Sequence, residues 1–260
     1  MRIVTNELHV KRGRQRGTVM FFVSLAILTG GLIFTNFIPA TPAALLIVPC
    51  IVMPLGIVTT AFSVRLTNEY VRVPRPEESI RDALIGINRR SALYHYFTPK
   101  HVLITPDGVY SLTTRFQVTK VKVEGGVWQN ARARGPLAPL MLYMKQEGLG
   151  NPFEDARKDA AALQTVVDAA LPGSGIEVQP LVVFTNTKTI LELNEPDLPV
   201  VYASKDKKPS LRGALREDAK DKQKDQQGRL TDEQIQAIEE ALQAQLSPAE
   251  FDSATEEELE

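Results

Sequence analysis

Cysteine and histidine are scarce in this chain: one Cys and three His (His9, His95, His101) among 260 residues. One cysteine allows no intrachain disulfide and no cysteine-based zinc site. Three histidines are too few for a His-rich metal centre. An excess of charge is missing as well, because 30 basic side chains stand against 31 acidic ones. That balance excludes a globally basic nucleic-acid binder but leaves room for a local patch. No Gly-rich phosphate loop, Ser-His-Asp set, Cys-His pair or internal repeat is present, and Ser111, His95 and His101 stand in no motif. The most informative absence is of ions. From Gly17 to Val64, 48 residues, there is no Asp, Glu, Lys, Arg or His, so all 61 formal charges lie in the other 212.

A helix needs about 20 apolar residues to cross a hydrocarbon core, and the ionless tract holds two such lengths. The first span is read as Thr18 to Ile38 and the second as Ala43 to Val64, joined by Pro39 to Pro42. Pro49 and Pro54 each remove an amide donor and predict a bend in the second helix. A hairpin that dips in and returns stays open beside the double crossing. The first apolar tract is too long for a signal peptide, and a second follows at once. Lys11, Arg12, Arg14 and Arg16 precede the first span; Arg65, Arg72 and Arg75 follow the second; the joint is uncharged. Basic flanks favour the cytoplasmic side, and two crossings satisfy both flanks. The expectation is a multi-pass protein of the cell membrane, with residues 1–17 and everything after residue 64 in the cytoplasm. Its partners are then the lipid bilayer and, through the hairpin, a second copy or another protein. Gly30-Gly31 allows close helix approach, and Cys50 reads as a small apolar filler.

Residues 65–75 form a linker. Glu77 to about Asn88 is expected to be an amphipathic helix, with Ile80, Leu84 and Ile87 at helical spacing. Strands follow at His101–Thr105, Val109–Arg115 and Gln117–Glu124, the first two joined by a Pro-Asp-Gly turn. Residues 131–150 read as a mobile stretch. Asn151-Pro152 opens a helix whose buried stripe is Ala156, Ala160, Leu163, Val167 and Leu171. Strands at Ile176–Phe184 and Leu198–Ala203 complete an α-β-β-β-α-β order in an α+β domain over 76–215. The charged stretch Ser204–Arg229 reads as a linker or exposed helix, with 216–229 the linker proper. Thr231 to Gln234 carries a capping-box signature for an amphipathic helix within 230–246, which docks on its own domain or on a partner. The acidic end, 247–260, reads as frayed.

Several phrases together resemble the nuclease-related domain (NERD) family of the restriction-endonuclease-like superfamily, over Glu77 to Leu215. They are an acid three residues before an apolar one (Glu77, Ile80), the run Gly108-Val109-Tyr110-Ser111-Leu112-Thr113-Thr114-Arg115, Gly126 with Trp128, Asn151-Pro152-Phe153, and Leu181 to Phe184. The resemblance implies a restriction-endonuclease-like fold. It also implies a site in which carboxylates hold Mg²⁺ and a lysine assists at the phosphate. At the matching positions this chain has Glu77, but Lys100 for an acid, Thr113 for the glutamate and Arg115 for the lysine. An ammonium repels the metal, and Arg115 stays protonated at neutral pH. The domain is therefore read as a catalytically degenerate binding or scaffolding module, a pseudoenzyme with no metal and no cofactor. Two alternatives stay open. One is a Mg²⁺-dependent nuclease with carboxylates relocated to Asp107 and Glu124. The other is a non-catalytic nucleic-acid binder, gripping phosphates through Arg115, Lys120 and Lys122, with Lys100, Arg132 and Arg134 nearby and Trp128 stacking on a base.

Overall fold

The computed structural model describes residues 1–37, 48–116, 120–130, 150–224, 228–246, 250 and 254–258. The chain divides into two units: Met1–His9, Pro76–Arg132 and Leu149–Glu260 form the first, and Val10–Arg75 with Ala133–Gly148 the second.

The first unit is built on a seven-stranded sheet. Its strands in chain order are β1 (Arg2–Asn6), β2 (Ala92–His95), β3 (His101–Thr105), β4 (Gly108–Arg115), β7 (Val178–Phe184), β9 (Val200–Tyr202) and β10 (Ala254–Glu258). They lie in the order β10-β1-β2-β3-β4-β7-β9. β3 and β10 run antiparallel to their neighbours, whereas β1 pairs parallel to β2, β4 to β7 and β7 to β9. A second sheet of three strands holds β5 (Lys120–Glu124) between β6 (Val127–Asn130) and β8 (Ile190–Asn194).

Side chains alternate across a strand, so the large sheet buries both faces. On one face Leu93, Leu103, Tyr110 and Leu112 pack with Ile80 and Leu84 of α3 (Pro76–Leu84) and with Leu211 and Leu215 of α5 (Leu211–Lys224). On the other, Val4, Tyr94, Val102, Ile104 and Val109 pack with Leu163 and Val167 of α4 (Pro152–Ala170) and with Ile235, Ile238 and Leu242 of α6 (Asp232–Gln243). The small sheet turns Val121 and Val123 onto Phe153, Phe184 and Tyr202. The fold is mixed α+β with helices on both faces of the main sheet. The helix starts follow from sequence: the Asn151 side chain accepts from the Glu154 amide, and Thr231 and Gln234 close a reciprocal capping box.

The second unit contains two long apolar helices, α1 (Glu7–Phe37) and α2 (Met53–Tyr70), the latter preceded by a π-helical turn at Val48–Val52. The π turn falls at Pro49, whose missing amide donor breaks the regular ladder. Pro54 sits in the first turn of α2, where a proline is tolerated. The stretches Glu7–Phe34 and Cys50–Tyr70 are long and apolar enough to cross a membrane. Glycines set their approach. A Cβ on Gly13 would lie 2.6 Å from the Tyr70 ring, one on Gly17 3.3 Å from Leu66, one on Gly31 2.6 Å from Val52, and one on Gly56 2.7 Å from Leu28. These pairs step in opposite directions along the chain, so the helices pack antiparallel. Phe21, Phe22, Leu32, Ile33, Leu55 and Phe62 are left on the outer surface.

Several boundaries differ from expectation. Residues 1–17, read as a basic terminus, contain an inner strand of the sheet and the first turns of α1. The first apolar helix therefore starts before Thr18, and the second runs past Val64 to Tyr70. The joint at Pro39–Pro42, with the start of the second span, lies outside the described residues, as do 131–149, Arg132 and Arg134 among them. Gly31 serves contact within the hairpin, while nothing lies within 4 Å of a Cβ on Gly30. An α-β-β-β-α-β order holds only for the main sheet, as α3-β2-β3-β4-α4-β7, with different members and with β5 and β6 of the small sheet intervening between β4 and α4. Its first strand, β2, was not foreseen, and Lys120–Glu124 belongs to the small sheet. Of the two readings of the charged stretch, helix is the one found over residues 211–224 (α5), which takes in most of the 216–229 linker; Leu211 and Leu215 give it an apolar edge. The acidic end supplies β10, paired with β1.

Candidate functional site

Parallel strands β1, β2, β4 and β7 end at one edge of the main sheet, where ligands of open α/β sheets usually bind. There the chain places Asn6, His95, Arg115 and, just past β7, Thr185. Asn6 caps α1 by accepting from the His9 amide at 3.0 Å. Its side-chain amide donates to the Tyr96 carbonyl at 3.4 Å.

Glu77, at the start of α3, is buried. Its Oε2 accepts from the Tyr96 hydroxyl at 2.6 Å. Tyr96 has φ 64°, a left-handed conformation rare outside glycine, in the short loop between β2 and β3. Its ring stacks on His9 with centroids 5.8 Å apart and meets His101 edge-on at 5.5 Å. His95 and His101 stand opposite each other across β2 and β3, both buried, with Nδ1 atoms 2.8 Å apart. One ring nitrogen must donate and the other accept. Burial, followed by the Lys100 charge, pushes His101 down to about 3, so it is neutral at ordinary pH. All three histidines of the chain therefore gather around Tyr96. Lys100 itself is exposed, and its carbonyl accepts from the Tyr96 amide.

Thr113 and Arg115 point the other way. Leu112 packs against α3 and α5, so its neighbour Thr113 faces α4, where its hydroxyl donates to Asp159 Oδ2 at 2.6 Å. Arg115, on the same face, pairs with Asp155 one helical turn earlier. Glu77 and the Thr113–Arg115 pair thus lie on opposite faces of the sheet. The four motif positions do not share one cleft.

The basic positions are matched by acids. Lys120 pairs with Glu192 at 2.5 Å and Lys122 with Glu124 at 2.7 Å. The Glu124 contact raises the Lys122 pKa, first by hydrogen bonding and then by charge. Trp128 is half-buried and packs on Phe153 with centroids 4.6 Å apart, at the border of the small-sheet core. The relocated carboxylates are poorly placed. Glu124 is tied to Lys122. Asp107 accepts from Arg229 at 2.8 Å in the β3–β4 turn, six residues or about 20 Å along the strand from Thr113. Ser111 is buried, and its hydroxyl has no hydrogen-bond partner among the described residues. Among those residues no three His, Cys, Asp or Glu side chains are grouped to hold an ion.

Sequence reasoning missed Tyr96, the histidine grouping and the acids of α4. Some signal was present. His95 and His101 flank a proline turn, and Asp155 and Asp159 border the buried stripe of Ala156 and Ala160 at i, i+4 spacing. Compared with family models, curated proteins and solved structures, the chain matches none of them.

Proposed function

We propose that this chain is a two-span membrane protein carrying a cytoplasmic, catalytically degenerate domain of the nuclease-related kind. The domain works as a non-catalytic binding or scaffolding module at the membrane. The restriction-endonuclease-like reading draws support from the α3-β2-β3-β4-α4-β7 order in one mixed sheet with helices on both faces. The two-span reading draws support from sheet pairing. β1 precedes the apolar helices and β2 follows them, yet the two are hydrogen-bonded neighbours. That pairing favours both strands on one side of a membrane and an even number of crossings. The basic flanks favour the cytoplasm as that side.

The loss of catalysis is carried by one observation. The motif positions do not converge: Glu77 is held by Tyr96, whereas Thr113 contacts Asp159 and Arg115 contacts Asp155, on the other face of the sheet. The acids of α4 give the nuclease alternative its best form, since Asp155 and Asp159 stand beside the motif strand. Incubation of the detergent-solubilised full chain with supercoiled plasmid and Mg²⁺ or Mn²⁺ tests this. The expected result is no nicking above that of Glu77→Ala and Asp159→Asn. Metal-dependent nicking lost in either variant would overturn the proposal.

A further inference from the structure

The base of the hairpin is a band of cations. Residues 7–17 and 65–75 hold seven basic side chains (Lys11, Arg12, Arg14, Arg16, Arg65, Arg72, Arg75) and two acids, Glu7 and Glu69. The helix contacts put them at one level. Gly13 lies against Tyr70 and Gly17 against Leu66, so Lys11–Arg16 runs beside the segment leading from Arg65 to Arg72. At 1.5 Å per residue the band is only about 10 Å high. Lys11, Arg14, Arg16 and Arg65 are exposed. The ionless tract starts at Gly17 and ends at Val64, so the band borders the apolar helices directly. The rest of the chain has the opposite sign: from Pro76 onward there are 22 basic residues against 29 acidic.

We infer that this band is a docking surface for anionic phospholipid headgroups of the leaflet on the domain's side. The inference rests on the two-span reading. If the helices cross, the cations stand at the depth of the lipid phosphates. There an anionic surface attracts lysine and arginine, and arginine holds phosphate oxygens in a bidentate fork. The acidic domain is repelled by the same surface, so attraction concentrates at the hairpin base.

Native mass spectrometry of the full chain, released from detergent with equal amounts of phosphatidylglycerol and phosphatidylcholine, reads the preference directly. The expected result is retention of phosphatidylglycerol over phosphatidylcholine by roughly fivefold or more. The preference should weaken in high salt and be lost in the Lys11→Gln, Arg14→Gln, Arg16→Gln, Arg65→Gln variant. Alkaline carbonate extraction of membranes, run on both chains, checks the spans separately. If both chains resist extraction but bind the two lipids equally, or if the variant keeps the preference, this inference fails alone. Release of the wild-type chain by carbonate overturns the two-span reading and this inference with it.

Discussion

Tyr96 joins residues on both sides of the apolar tract. Its hydroxyl reaches Glu77, its carbonyl takes the Asn6 amide, and its ring lies between His9 and His101. The histidine beneath it gives the domain an acid response. An unfolded histidine titrates near 6.5, whereas His101 in the fold titrates near 3. Between those values the unfolded chain binds a proton that the native chain refuses. The stability this group contributes is therefore complete above pH about 6.5 and is lost as pH falls toward 3, at up to about 1.4 kcal/mol per pH unit. Denaturant titrations between about pH 7.5 and 5 should show that slope reduced by one proton in His101→Asn. An unchanged slope would contradict the assignment.

α6 illustrates how an element's start and its docking face come from the same few residues. Thr231 and Gln234 satisfy its first amides, and Ile235, Ile238 and Leu242 then enter the core shared with α4. Thr231→Ala should cost about 1 kcal/mol, read as a fall of about 2–4 °C in Tm, with the helix still docked on its own domain. Elements of this sort were legible beforehand, because caps and apolar periodicity are local. α4 and α6 came out near their true bounds for that reason. β1, β2 and β10 did not. Each is short, and each becomes a strand only through a partner far away in sequence: Arg2 faces Ala92 on one side and Glu258 on the other. No local preference marks the Ala-Thr-Glu-Glu-Glu run of β10 as extended, since Ala and Glu are poor strand formers. The site was obscured in the same way. The resemblance pointed to Glu77, Thr113 and Arg115 along the chain, but it could not show which face of the sheet each would occupy.

At the scale of the whole molecule, the main sheet is assembled from both sides of the hairpin, with β1 before it and every other strand after. A fragment of residues 76–260 lacks an inner strand, leaving β10 unpaired and the β2 edge open. Such a fragment should give broad, uncooperative melting. Fusing Met1–Asn6 to Pro76 through a short Gly/Ser linker should restore a single transition, since Asn6 and Glu77 both contact Tyr96. Cooperative melting of the bare fragment would show β1 to be dispensable. The 90-residue gap between Arg2 and its partner Ala92 also orders events during synthesis. β1 is translated first but has nothing to pair with until both greasy helices have left the ribosome. If the two helices insert into a bilayer, as proposed above, insertion comes before sheet closure, and β1 stays unpaired until β2 has been made.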